Sequence, residues 1–269
     1  MNLLLSNDDS VHADGVHALA NGLSKIGSTT IVAPERERST TGHSLTLHKP
    51  LRLYKYEKNV YSVSGSPADC IYLGIQEVLK KKPDVIVSGI NHGANLGQDV
   101  FYSGTVSAAR EGANLGIPAV AVSLCLDFHN PKKAMHFETA ARAAREVLVD
   151  ALLYWGEGNI KKGLKKWPKH LVLNVNVPNL PYEKLKGFRL GIQGMRYYGG
   201  KVVKRTDARG GKYFWIGGKY QGHEKSIVNS DCSLVDKGFV AITPLEMDTT
   251  MLNVYRELGP TFEKKMKKR

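Results

Sequence analysis

The chain has 269 residues, 42% hydrophobic and 8% aromatic, an ordinary globular composition that can bury a substantial core as one large α/β domain or two small ones. Lys and Arg number 38 against 25 Asp and Glu, and the resulting net charge of +13 favours anionic partners without saying anything about fold. Three widely spaced cysteines, Cys70, Cys125 and Cys232, suggest neither a disulfide framework nor a zinc site and fit a reducing cytosol. Polar Asn2 and the acidic pair at positions 8 and 9 interrupt any signal-like apolar start, and no run of about 18 apolar residues follows, so a soluble cytoplasmic protein with no membrane partner is expected.

In chain order, apolar strand-like runs alternate with helical patterns, which predicts a parallel sheet covered on both faces, a three-layer α/β/α arrangement. Strands are expected at residues 3–5, 30–33, 85–87, 119–124 and 171–177. Val16, Leu19, Leu23 and Ile26 recur at helical spacing between the first two. Ser66-Pro67-Ala68-Asp69 places an N-cap serine, a proline at the first helical position and an acid in the first turn, with Ile71, Ile75, Val78 and Leu79 as the helix face. A long Ala-, Arg- and Glu-rich helix is expected from about Ala134 to Tyr154. Near residue 180, at Pro178 and Pro181, the texture becomes Gly-rich and aromatic. Residues 202–206 and 212–216 around Ala208-Arg209-Gly210-Gly211 predict a protruding β-hairpin, and residues 239–242 a return to the main body. The strongest charge run, Lys264 to Arg269, is expected to be a solvated terminus.

The chemistry emerges from the segments that follow the strands, which in a parallel sheet share one edge. Asn7-Asp8-Asp9 follows the first; Pro34 through Ser39 to Ser44, full of hydroxyls and charges, follows the second; Ser88-Gly89-Ile90-Asn91-His92-Gly93 follows the third. Either aspartate alone is readily a helix cap, but two adjacent carboxylates repel unless a cation sits between them. Two carboxylates, a hydroxyl and an amide oxygen make an all-oxygen shell of the kind that catalytic Mg²⁺ or Mn²⁺ requires. Tyr102-Ser103-Gly104-Thr105 then opens a helix. Ser103 or Thr105 can be an ordinary N-cap there, or the helix start can serve as an anion site.

Taken together, these residues resemble the SurE family, stationary-phase survival proteins that are metal-dependent nucleoside monophosphate phosphatases. The likeness rests on Leu4-Leu5-Ser6-Asn7-Asp8-Asp9, on Val32-Ala33-Pro34 through Arg38-Ser39 and on Ser66-Pro67-Ala68-Asp69-Cys70. It continues through Val87 to Gly97, Tyr102 to Val106, Ile117 to Ser123, Asn174 to Pro178 and Ile242-Thr243-Pro244-Leu245, nearly the whole chain in order. The resemblance implies a Rossmann-like, mostly parallel sheet with a C-terminal β-hairpin oligomerisation arm in a single SurE-like domain over 1–269, with the α/β core at 1–180 and the arm and return segment at 181–269. It places one divalent metal ion on Asp8, Asp9, Ser39 and Asn91, sets Asn95 and Ser103-Gly104-Thr105 against the substrate phosphate, and leaves open whether Asp8 or Asp9 attacks or acts as base.

The activity implied is hydrolysis of nucleoside 5′- and 3′-monophosphates to nucleoside and phosphate, with polyphosphate as a further substrate, by a homodimer or homotetramer. A module that senses nucleotides without turnover and a basic nucleic-acid-binding protein are the alternatives. The complete donor set disfavours the first, and the lack of a basic motif interleaved with aromatics disfavours nucleic acid. His43 and His92 are candidate general acids, although a lone histidine in a polar loop is more often structural. Adjacent aspartates disfavour the haloacid-dehalogenase nucleophile, which by resemblance needs Asp-x-Asp. Three positions depart from the family pattern, Ser10 and Ser66 where glycine and threonine are usual and Gln98 where an acid is common. Of these Ser10 matters most, because a serine tolerates positive φ poorly.

Overall fold

A computed structural model describes residues 1–126 and 134–266, with side chains to residue 262; Lys264 to Arg269, the basic terminus, lies outside the described side chains. The elements run β1 (Asn2–Ser6), α1 (Asp14–Leu23), β2 (Ser28–Pro34), β3 (Leu53–Glu57), β4 (Val60–Val63), α2 (Pro67–Leu73) and β5 (Val85–His92). They continue as α3 (Gly104–Asn114), β6 (Ala119–Cys125), α4 (Phe137–Trp155), α5 (Ile160–Lys166), β7 (Val172–Pro178), β8 (Phe188–Leu190), β9 (Arg196–Tyr198), β10 (Lys201–Thr206) and β11 (Lys212–Gly217). The chain ends with β12 (Tyr220–His223), α6 (Asp231–Asp236), β13 (Val240–Leu245) and α7 (Leu252–Met266).

Nine of these strands form one sheet in the order β3-β4-β2-β1-β5-β6-β7-β13-β8. From β4 to β7 the pairing is parallel, while β3 and β13 run antiparallel to their neighbours β4 and β7. The Leu3-Leu4-Leu5 run shows why the sheet lies between two helical layers. Successive side chains point to opposite faces, so Leu3 and Leu5 pack with α1 and α4 through Val16, Leu19, Ala140 and Leu148, while Leu4 packs with Cys70 and Ile71 of α2 and Ala108 of α3. Three layers result, as the alternation predicts.

Several boundaries differ from the sequence reading for local reasons. The long helix begins at Phe137 rather than near Ala134. The Ser66 cap is a full capping box with Asp69, but after Leu73 the helix widens into a π-helical segment, Gly74–Leu79, that ends on Lys80 at φ 53°. The β3–β4 hairpin escapes the apolar pattern because every residue of β3 is exposed; it turns through Lys58-Asn59 with Asn59 at φ 62°. In the C-terminal part β9 pairs with β12, and beyond them β10 pairs with β11 from Lys201↔Gly217 to Thr206↔Lys212 as a separate hairpin with all strand residues exposed. The chain then returns, and β13 joins the main sheet against β7.

Candidate active site

Strand order reverses beside β1, because the chain goes first to β2 on one side and later to β5 on the other. Connections that leave in opposite directions open a crevice beyond the carboxyl ends of the strands, the usual ligand position in open α/β sheets. A cavity of about 700 Å³ lies there. Asp8, Asp9, Glu37, Ser39, Asn91, His92, Asn95 and Ser103 line it together with Asp14, Asp99, Tyr102, Met135, Phe137 and Tyr198. Of the eight residues assigned to metal or phosphate from sequence, six therefore share one cavity, whereas Gly104 and Thr105 sit beneath Asp8.

Asp8 is only 4% exposed. Its Oδ1 accepts a 2.5 Å hydrogen bond from Thr105 Oγ1, and its main-chain oxygen accepts from Arg38 N–H at 2.7 Å. Burial pushes its carboxyl up to about 6, opposed by the Thr105 bond and reinforced by the charge of Asp9. Asp9, more open, accepts from the His92 N–H at 3.0 Å, and burial raises its carboxyl as well. Among the described residues neither carboxylate has an ion-pair partner.

Asn91 is aimed by two features of β5. Its pairing with β6 slips between Ser88 and Asn91, and Gly89, at φ 138°, lies so close to β6 that a Cβ would meet Val122 O at 2.3 Å. Gly89 thus serves the close approach of the two strands. Asn91 Nδ2 donates to Gly93 O at 2.9 Å, which leaves Oδ1 facing Thr105 Oγ1 at 3.2 Å. Ser39 Oγ donates to Glu37 Oε1 at 2.5 Å and keeps its lone pairs free. The loop carrying Ser39 is stapled down by His43 Nε2 to Glu111 Oε2 at 2.9 Å and by Arg38 Nη2 donating to Ser64 O at 2.7 Å. His43 is thereby a structural partner outside the lining, whereas His92 lies in it.

Asn95 is locked from the sheet. Its N–H donates to Asn176 Oδ1 at 2.9 Å, its Nδ2 donates to Ser123 Oγ at 2.8 Å, and its carbonyl accepts from both Asn174 and Asn176. Ser103 caps α3, accepting from Val106 N–H at 3.0 Å, and also lines the cavity. Gly104 allows the carboxylate to rest on the helix start, since a Cβ there would stand 2.7 Å from Asp8 Cβ and Oδ2. Asp8 therefore rests against the positive end of α3.

Among the described residues no three His, Cys, Asp or Glu side chains converge as a ready metal cage. A cation here would draw on the mixed set of Asp8, Asp9, Ser39 and Asn91, all oxygen donors, and two neighbouring carboxylates without counter-charge fit that requirement. Sequence reading missed Glu37, Asp14 and Asp99 as lining carboxylates. Tyr198, within the segment assigned to the arm and return, instead enters the cavity from β9.

The family model described as Survival protein SurE matches residues 3–200. A 5′-nucleotidase SurE of Geobacter sulfurreducens is 46% identical over 250 residues, covering 93% of this chain and 89% of that protein. One of Vibrio campbellii is 42% identical over 251 residues, covering 93% and 90%. The crystal structure of the SurE protein from Aquifex aeolicus superposes with a TM-score of 0.79 at 39% identity, covering 96% of this chain and 98% of that one.

Proposed function

Because the chain belongs to the SurE family, we propose that it is a divalent-metal-dependent phosphatase that hydrolyses nucleoside monophosphates to nucleoside and phosphate. The observation that carries this reading is the uncompensated Asp8-Asp9 pair, with Asp8 buried, which shares one cavity with Asn91 and Ser39 at the strand-order reversal. The 5′-nucleotidase name of the relatives supports the substrate class.

Asp8, Asp9, Ser39 and Asn91 would hold one Mg²⁺ or Mn²⁺ ion, which when bound supplies electrophilic charge beside the phosphoryl group and acidifies water. The chain itself orients the reactants. Thr105 fixes Asp8, and Gly93 O fixes Asn91. Ser103 Oγ is engaged as an acceptor by Val106 N–H, so its proton is available to a phosphate oxygen. The first turn of α3 adds its positive dipole end against developing negative charge. Asp9 keeps Oδ1 free of hydrogen bonds among the described residues, which makes it this reading's proton acceptor for the attacking water. The same cradle is proposed to take 3′- as well as 5′-monophosphates and the end of a polyphosphate chain, in a cytoplasmic homodimer or homotetramer.

The test is phosphate release by Asp8→Asn and Asp9→Asn. Each should lose activity by at least the roughly 10–100-fold typical of weakening the outer shell of a metal site. Parent-level turnover in either variant refutes the donor assignment.

A further inference from the structure

The cavity is far larger than phosphate chemistry needs. At roughly 30 Å³ per water-sized group, four phosphate oxygens occupy on the order of 120 Å³, against a cavity of about 700 Å³. The lining divides into two chemistries: the oxygen donors around Asp8, and an aromatic and thioether set of Tyr102, Met135, Phe137 and Tyr198. Tyr198 is the one that the rest of the structure prepares. The residue is 44% exposed, yet its hydroxyl donates to Asp99 Oδ2, the same oxygen that takes Arg196 Nη1 at 2.5 Å. The Arg196 guanidinium lies over one face of the ring, 5.4 Å from its centroid, and the tilted Tyr220 ring packs 6.0 Å away. Asp99 lines the cavity and, through its carbonyl, also accepts the Tyr102 N–H at 2.9 Å. An exposed aromatic ring held by a cation over one face and by its hydroxyl loses little freedom when a flat ligand covers the other face.

We infer that Tyr198 is the stacking platform for the planar base of the nucleotide, so that β9, and not the metal-binding loops, sets the preference for nucleotides over other phosphate monoesters. This rests on the phosphatase reading above and deepens it. Base stacking on an aromatic side chain tolerates any base, because every base has a π-face. Tyr198 is therefore a specificity residue for the class of leaving group and does not choose among bases.

The experiment compares steady-state hydrolysis of AMP and of ribose 5-phosphate, which lacks the base, by the full-length protein with divalent metal. Tyr198→Ala should raise KM for AMP by about ten-fold, within the range expected for one stacked base, while kcat and the ribose 5-phosphate kinetics stay at parent level. Tyr198→Phe, which keeps the ring, should retain most of the AMP affinity. Equal losses on both substrates would make Tyr198 a structural residue, and an unchanged KM for AMP in Tyr198→Ala would exclude the platform; either overturns the inference. A parent enzyme that cleaves ribose 5-phosphate but not AMP would instead overturn the nucleotidase reading itself, before any variant is made.

Discussion

Asp8 and Ser10 stand two residues apart and show how much the turn after β1 is shaped for chemistry. Ser10 adopts φ 113°, a region that an L-residue enters only under strain. Asn7 Nδ2 donates to Ser10 O at 2.8 Å and holds the turn that presents the two carboxylates. Strain of about 1–3 kcal/mol at such a residue outweighs the roughly 0.5–1 kcal/mol entropic cost of glycine. Ser10→Gly should therefore stabilise the fold by on the order of 1 kcal/mol in denaturant melts, and a destabilised variant would show that the turn is relaxed as it stands. At this scale the sequence was informative wherever one residue type carries one chemistry. Adjacent aspartates raise the proposal of a cation, and a serine where glycine is usual announces strain. Tyr198 could not be read the same way, because its place in the cavity depends on β9 folding back beside Asp99, about a hundred residues earlier, a contact that no local pattern records.

Among the elements, α3 carries the most function per residue. Its cap Ser103 lines the cavity, Gly104 receives Asp8, and Thr105 holds the same carboxylate. Gly104→Val places a branched side chain where Asp8 Cβ and Oδ2 stand 2.7 Å from the would-be Cβ. Asp8 must then move, so divalent-ion affinity measured by calorimetry should fall at least ten-fold, the lower bound for disturbing a ligand's support, with the far-UV spectrum of the fold retained. Unchanged affinity would remove Asp8 from the donor set. The parallel strands β1, β2, β5, β6 and β7 were legible because burial on both faces leaves apolar runs. The β3–β4 hairpin was not, since its exposed Leu53-Tyr54-Lys55-Tyr56-Glu57 run lacks a buried face to impose a pattern. The widening of the helix after Leu73 is likewise not encoded by the periodicity of Ile71, Ile75 and Val78.

For the molecule as a whole, the unsettled surface is the β10–β11 hairpin. Val202, Val203, Tyr213, Phe214, Trp215 and Ile216 are all exposed, Ile216 at 93%. A two-stranded hairpin is marginal in water by itself, and aromatic residues of this kind anchor protein interfaces. The proposed cover is a second copy of the chain. Light scattering at micromolar concentration should give a multimer for the parent and a smaller species after deletion of residues 201–217. A monomeric parent would leave the arm without its role. Among the described residues no helix is long and apolar enough to cross a membrane, and the net charge of +13 suits an anionic substrate.

The central claim, that a cation held by the Asp8 cluster drives phosphate release from nucleotides, is tested most directly by measuring inorganic phosphate from a panel of 5′- and 3′-nucleoside monophosphates with Mg²⁺, with Mn²⁺ and with excess chelator. The account predicts release from nucleotides with a divalent ion, abolished by chelator and restored when the ion is added back. Full release in chelator, or none from any nucleotide with either ion, would contradict it.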